Sequence, residues 1–200
     1  MDTQNYLGAP PNSERLALPA CPRQLRLSNW QQLLENNTHL DEPDKLEAVN
    51  RLINRSVAYV SDQQAWGQDD YWATPEETLR LGQGDCEDFA IAKYFALLKL
   101  GVAVERLRLT YVKALGRNSA HMVLAYYPSP NAQPLILDNL NSQILPAAAR
   151  RDLLPVYAFN GQGIYLAKAP TQKLRHPTTL LARWDELSAR LQDSNLQPLL

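Results

Sequence analysis

Cysteine is scarce in this chain of 200 residues: Cys21 and Cys86 are the only two. Two are too few for a disulfide framework or a four-ligand zinc site. Pro22 beside Cys21 and the acidic neighbours of Cys86 give no sign that the two pair. An excess of one charge is also lacking. Twenty basic residues face 21 acidic ones, for a net charge of −1, so neither nucleic acid nor an anionic membrane is indicated as a partner. The most apolar run, Phe89 to Val104, is interrupted by Lys93 and Lys99, which excludes a membrane-spanning helix and direct membrane insertion. Met1-Asp2-Thr3-Gln4 has neither the basic nor the apolar segment of a signal peptide. That leaves a cytosolic protein, or an exported one whose leader has been replaced by a new methionine. No internal repeat is visible.

What is present is ordinary for one globular domain: 45% apolar and 20% charged residues. Residues 1–24 carry four prolines and little periodicity, and read as an extended or flexible arm before a single domain over 25–200. Ser28-Asn29-Trp30-Gln31 fits a capping box and predicts a short helix. Asp41-Glu42-Pro43-Asp44 opens a second helix with Leu46, Val49, Leu52 and Ile53 on one face. Ser61 to Trp72 is polar and irregular. Thr74-Pro75-Glu76-Glu77 caps a brief helix through Leu81. A central helix follows from about Asp85 to Leu100, with Phe89, Ala92, Phe95, Ala96 and Leu100 as its buried stripe and Gly101 as its stop. The period then changes to two. Strands are predicted over 106–114, 120–127, 134–139, 156–159 and 163–168, joined by short turns that imply antiparallel neighbours. Thr178 to Leu191 reads as a last amphipathic helix through Leu180, Leu181, Trp184, Leu187 and Leu191. Helices, then strands, then one helix predict an α+β fold with helices packed on one side of an antiparallel sheet.

The chemistry concentrates in Gly82-Gln83-Gly84-Asp85-Cys86-Glu87-Asp88-Phe89-Ala90. Two glycines before the cysteine and an apolar helical pattern after it place Cys86 in the first turn of a helix. Unpaired N–H groups and the helix dipole there favour thiolate. A buried structural cysteine is the bland alternative, but Asp85, Glu87 and Asp88 are poor company for one. A nucleophilic thiol needs a base, and the base an orienting partner. Of three histidines, His39 and His176 lie in polar or loop contexts, whereas His121 starts a strand. Asp138 ends the run Leu135-Ile136-Leu137, where an aspartate runs against β propensity. Its separation of 17 residues from His121 leaves room for a strand, a turn and a return. Asn139 and Asn141 are less apt, because an amide orients an imidazole without stabilising its charge. The acidic flank opposes a thiolate, and a hard cation such as calcium relieves the crowding. Asp62 to Asp70 offers further oxygens. A solvated acidic helix start explains the same residues by the dipole alone, and no EF-hand spacing is present.

Four segments together carry a resemblance. They are Trp66-Gly67-Gln68-Asp69-Asp70-Tyr71-Trp72-Ala73-Thr74-Pro75, Gly84-Asp85-Cys86-Glu87-Asp88-Phe89-Ala90-Ile91-Ala92-Lys93-Tyr94, His121-Met122-Val123-Leu124 and Leu137-Asp138-Asn139-Leu140. They resemble the bacterial transglutaminase-like cysteine proteinases of the LapG type, over about residues 28–168. The resemblance implies a papain/transglutaminase-like fold, a Cys86–His121–Asp138 triad, and calcium bound at Asp85 and Glu87. Asp69, Asp70 and Asp88 extend that ligand set on our own reading. It also implies a periplasmic endopeptidase that cuts an LapA-like biofilm adhesin in its N-terminal region at an Ala-Ala-type site. Its regulator is then an LapD-like inner-membrane receptor for cyclic di-GMP. Trp66, Tyr71 and Trp72 are candidates for the wall of an extended substrate groove, or for ordinary core packing. A non-catalytic receptor-binding module of the same fold, and a transglutaminase or amidase, are the alternatives.

Overall fold

Side-chain caps fix the starts of three helices in the first half of the chain. The computed structural model describes residues 22–166, 169–174 and 178–193. Cys21, His176 and the end of the strand expected to reach Lys168 lie outside them, as does nearly all of the arm. Helix α1 spans Arg23–Asn36 and α2 spans Glu42–Ser56, the latter capped by Asp41, whose carboxylate accepts from the Asp44 N–H. A two-residue strand β1 (Ala58–Tyr59) and a single helical turn α3 (Asp62–Ala65) follow. Helix α4 (Pro75–Leu81) has the capping box its sequence predicts, with Thr74 and Glu77 bonding each other's backbone. After β2 (Gln83–Gly84) comes the central helix α5 (Cys86–Lys99), where Asp85 and Asp88 form a second capping box. Gly101 adopts φ +85° just past its end. The second half comprises β3 (Leu107–Ala114), β4 (Ser119–Tyr126), β5 (Leu135–Leu137), β6 (Leu145–Pro146), β7 (Leu153–Asn160), β8 (Gly163–Leu166), β9 (Ala169–Leu174) and a last helix α6 (Thr178–Asp193).

Seven strands make one antiparallel sheet in the order β6-β5-β4-β3-β7-β8-β9. Its helix-facing side carries Leu107, Leu109, Met122, Leu124, Leu137 and Phe159, which join α5 in the main core. A smaller apolar cluster, including Val112, Val123, Ala125 and Ile136, covers the opposite side. Tyr94, Phe95 and Phe159 receive Trp184 from α6, and Leu187 and Leu191 are buried beneath it. The side chains of Leu180 and Leu181 lie outside the described ones.

The fold class is as the residue order predicts: α+β, with helices on one side of an antiparallel sheet. Several local expectations are corrected. Helix α1 begins at Arg23, inside the stretch read as an arm and well before Ser28. Tertiary contacts override the cap signal there: Trp30 and Leu33 enter the core, and the Arg26 guanidinium donates to the Leu79 and Arg80 carbonyls. The same guanidinium fills the space where Gly82 lacks a Cβ, at φ +72°. Ser61 to Trp72 is not wholly irregular, since it holds α3. Helix α5 has no single buried stripe. Ile91, Tyr94 and Leu97 are buried as well as Phe89 and Ala92, whereas Phe95 is half-exposed. The helix is enclosed by α2 and α4 on one side and by the sheet on the other, which removes the polar face that periodicity relies on. The short parallel pair β1–β2 and the strands β6 and β9 were not foreseen. Each is short or poor in apolar residues.

Candidate active site

Cys86 is the first residue of α5, where the capping box fixes the turn that presents it. The approach is tight: a Cβ on Gly84 would lie 2.6 Å from Asp88 Oδ2, so only glycine lets β2 enter the helix this closely. Cys86 is a free thiol and half-buried. Its Sγ donates to Glu87 Oε2 at 2.9 Å. The backbone amide of Met122, the residue after His121, also bonds the sulfur and favours thiolate. Burial first, then the charge and hydrogen bond of Glu87, push the thiol in the other direction, far above its ordinary value.

Strand β4 delivers His121, and the chain leaving β5 delivers Asp138. The pairing Leu124↔Leu137 sets the register, and His121 Nε2 lies 2.8 Å from Asp138 Oδ1. With Nε2 committed to the carboxylate, Nδ1 is the imidazole nitrogen available to a thiol. Asp138 is itself held from every side. Its Oδ1 accepts the Leu140 N–H, its Oδ2 accepts from Arg150 Nη2 at 2.7 Å, and its carbonyl accepts from Asn54 in α2. Burial pushes this carboxyl up. The His121 and Arg150 bonds and the Leu140 N–H outweigh that and hold it down at about 2. Arg150 is in turn gripped by Asp152.

Beside the sulfur, carboxylates crowd. Oxygens of Asp62, Asp85 and Asp88 lie within 4.8 Å of one another, as do those of Asp62, Asp70 and Glu87. Burial, then neighbouring negative charge, raises Asp85 to about 10 and Asp88 to about 8. Asp62 is raised chiefly by burial. Asp62 Oδ1 and Asp70 Oδ1 are buried without a hydrogen-bond partner. A donor set of hard, crowded, partly orphaned oxygens suits calcium. Four of the five residues read as ligands from sequence thus meet here: Asp85, Glu87, Asp70 and Asp88. Asp69 stands outside these groups, and Asp62, on α3, takes its place. Asp88 is the least available of the four, because its Oδ1 accepts the Ala73 N–H and its Oδ2 the Asp85 N–H.

Of the aromatic residues read as groove wall or core, Trp72 and Tyr71 are taken up by contacts within the fold. Trp72 is buried and stacks on Phe159. Tyr71 lies under the Arg190 guanidinium and bonds Glu77. Instead Tyr59, exposed on β1, and Tyr111, tilted against Tyr157, come within electrostatic reach of Cys86 and Glu87. Arg150 was missed altogether. Nothing in Ala149-Arg150-Arg151 marks the first arginine as buried and the second as exposed.

A family model described as bacterial transglutaminase-like cysteine proteinase matches residues 21–151. The chain belongs to that family. It is a cysteine protease of a family whose model includes the helix start at Cys86, the strand at His121 and the turn at Asp138. Among solved structures, Legionella pneumophila LapG is 42% identical, with 88% of this chain and 94% of that one covered and a TM-score of 0.74. Its calcium-bound form is 43% identical, over 89% and 96% of the two chains, with a TM-score of 0.74. The EGTA-treated form matches at 42% identity and a TM-score of 0.76. None of the curated proteins compared matches.

Proposed function

We propose that this bacterial transglutaminase-like cysteine proteinase is a calcium-dependent endopeptidase of the periplasm that releases an LapA-like adhesin by cutting its N-terminal region at an Ala-Ala-type site. An LapD-like cyclic-di-GMP receptor restrains it by sequestration. The observation that carries the reading is the junction of α5 and β4. There a thiol, an imidazole held by a buried carboxylate, and a nest of hard oxygens share one end of a helix in a chain similar to calcium-bound LapG.

Cys86, His121 and Asp138 are the catalytic residues in this reading. The Sγ proton passes to His121 Nδ1, and Sγ bonds to the peptide carbonyl carbon. Backbone N–H groups at the start of α5 receive the charge on the carbonyl oxygen. Asp138, bonded through Oδ1, stabilises the imidazolium while this charge persists. As the C–N bond breaks, His121 gives the proton to the leaving amine. It then takes one from water, whose oxygen displaces Sγ from the acyl carbon. Asp62, Asp70, Asp85 and Glu87 would hold calcium, with Asp88 behind them. The ion supplies positive charge that offsets carboxylate repulsion beside the thiol. Glu87 links the two sites, because its carboxylate is the acceptor for the Cys86 thiol.

Incubation with an adhesin fragment, with and without chelator, read by intact mass, tests this. Two shorter chains that form only with calcium are expected. A crosslinked product would point to transamidation. Cleavage indifferent to chelator, or no cleavage in either condition, would contradict the reading.

A further inference from the structure

Asp138 is the triad member that its own strand holds least. The β4–β5 pairing ends at Leu124↔Leu137, so Asp138 stands one residue past the last paired position, where the chain leaves the sheet. Its side chain is nonetheless fully buried, at 0% exposure. The two carboxylate oxygens are served unequally. Oδ1 meets His121 Nε2 at 2.8 Å and accepts the Leu140 N–H at 3.1 Å. Among the described residues, Oδ2 has one donor, Arg150 Nη2 at 2.7 Å. Arg150 is itself buried and clamped. Asp152 takes its Nε at 3.0 Å and its Nη2 at 2.8 Å, a side-on fork that fixes the plane of the guanidinium. The segment carrying both residues is pinned to the sheet on each flank. The Ala147 N–H donates to the Pro134 carbonyl just before β5, and the Leu115 N–H just past β3 donates to the Asp152 carbonyl. A chain of contacts therefore runs Asp152–Arg150–Asp138–His121, from an exposed carboxylate to the imidazole.

We propose that Arg150 is a positioning residue for peptide cleavage: clamped by Asp152, it anchors Asp138 Oδ2 so that Oδ1 stays on His121 Nε2 and Nδ1 remains the proton acceptor for Cys86. A neutral imidazole carries one N–H, and the hydrogen bond made by one nitrogen decides which nitrogen holds it. While Oδ1 accepts from Nε2–H, Nδ1 keeps its lone pair. Without Arg150, Oδ2 becomes a buried oxygen with no donor, which is costly. Turning the carboxylate toward the donors that remain, or protonating it, relieves that cost, and either change loosens the hold on Nε2. The Nδ1–H form then gains population, and it cannot take the Cys86 proton. Arg150 itself gives and takes no proton, and the inference rests on the triad assigned above. An ion pair that merely ties this segment to the sheet would move stability alone.

Two measurements on the calcium-loaded full chain test this, at a temperature where every variant compared is folded. In the first, 15N-histidine-labelled protein is examined by NMR with the His121 imidazole uncharged. Wild type is expected to carry the proton on Nε2, and Arg150→Met to show a mixture of Nε2–H and Nδ1–H forms. Asp152→Ala removes an exposed side chain and leaves Arg150 in place. It is expected to show the same change at smaller amplitude, and it decides the case if Arg150→Met does not fold. A His121 that stays wholly Nε2–H in each folded variant overturns the proposal. In the second, kcat and KM for cleavage of an adhesin fragment are compared. Arg150→Met is expected to lower kcat about tenfold to a hundredfold with KM unchanged. That is well short of the loss of about 10⁴-fold that follows when such a carboxylate becomes an amide. An unchanged kcat, or a loss confined to KM, overturns the proposal. If wild type cuts nothing, the protease reading of the triad fails, while the NMR measurement needs no substrate and still decides what Arg150 does.

Discussion

Replacing Arg150 by methionine removes the charge behind Asp138 while keeping much of the side chain's bulk. Nη2 lies 2.7 Å from Asp138 Oδ2, with side-chain exposures of 3% and 0%. Breaking such a buried pair by deleting one partner costs about 3–5 kcal/mol. Two features place the loss at the low end. Asp138 keeps its bonds to His121 and the Leu140 N–H, and Arg150 already shares its charge with the 56%-exposed Asp152. A loss of about 3 kcal/mol in a chain of this size lowers the thermal midpoint by about 6–12 °C. The linkage has a definite sign. Asp138 is held below its ordinary value, so its contribution is complete above the unfolded carboxylate value and disappears as pH falls through about 2. Losing Arg150 removes one of the groups that hold it down, so acid unfolding starts at higher pH in Arg150→Met. The assay is thermal melting of calcium-loaded wild type, Arg150→Met, Asp138→Asn and the double variant. The two single changes break the same contact, so the double variant should lose less than their sum, by about 1–3 kcal/mol. An Arg150→Met midpoint within about 2 °C of wild type, or strict additivity, would refute the buried-pair reasoning.

Other consequences follow from the acidic nest and its supports. Without metal, Asp85 and Asp88 hold protons to about 10 and about 8. Raised carboxyl values mean that the folded state binds the extra protons, so the metal-free melting point should fall as pH rises from ordinary carboxylate values through this window. Calcium should abolish the fall, and a metal-free melting point flat with pH would contradict it. Gly84→Ala drives a Cβ into Asp88 and should lower both melting point and calcium affinity, measured by calorimetry; unchanged affinity counts against the close packing. Arg190 of α6 donates to the Trp72 carbonyl and to Glu77 and covers the Tyr71 ring. Arg190→Ala should therefore cost about 1–3 kcal/mol, and faster hydrogen exchange at Tyr71 and Trp72 would localise that loss.

Local signals were legible where the side chain acts on its own backbone. Asp41 and Thr74 cap the helices that their sequences open. Asp138 also announced itself, because an ionisable group at the end of an apolar strand needs partners, and its carboxylate has three: His121, Arg150 and the Leu140 N–H. Residues whose role comes from distant parts of the chain stayed hidden. Arg150 and Arg151 are indistinguishable until the fold buries one of them. Asp69 was named as a ligand and Asp62 was not, because nothing in one polar loop shows that a turn of helix brings Asp62 to the carboxylate groups and leaves Asp69 outside them. Lys93 read as an interruption of an apolar run, since periodicity does not reveal that the fold encloses α5 and buries this lysine completely. Of the two readings left open for Trp66, Tyr71 and Trp72, core packing is the one that Trp72 follows, stacked on Phe159.

The nucleophile assignment is tested most directly by labelling. The calcium-loaded chain is treated with a peptide-derived thiol electrophile, and the modified residue and its rate are read by mass spectrometry for wild type and His121→Ala. Modification should fall on Cys86, much faster than on a free thiol, and should slow by at least about a hundredfold without the imidazole. Labelling at the rate of a free thiol, or equally fast in His121→Ala, would show that residues 86 and 121 do not work as a pair.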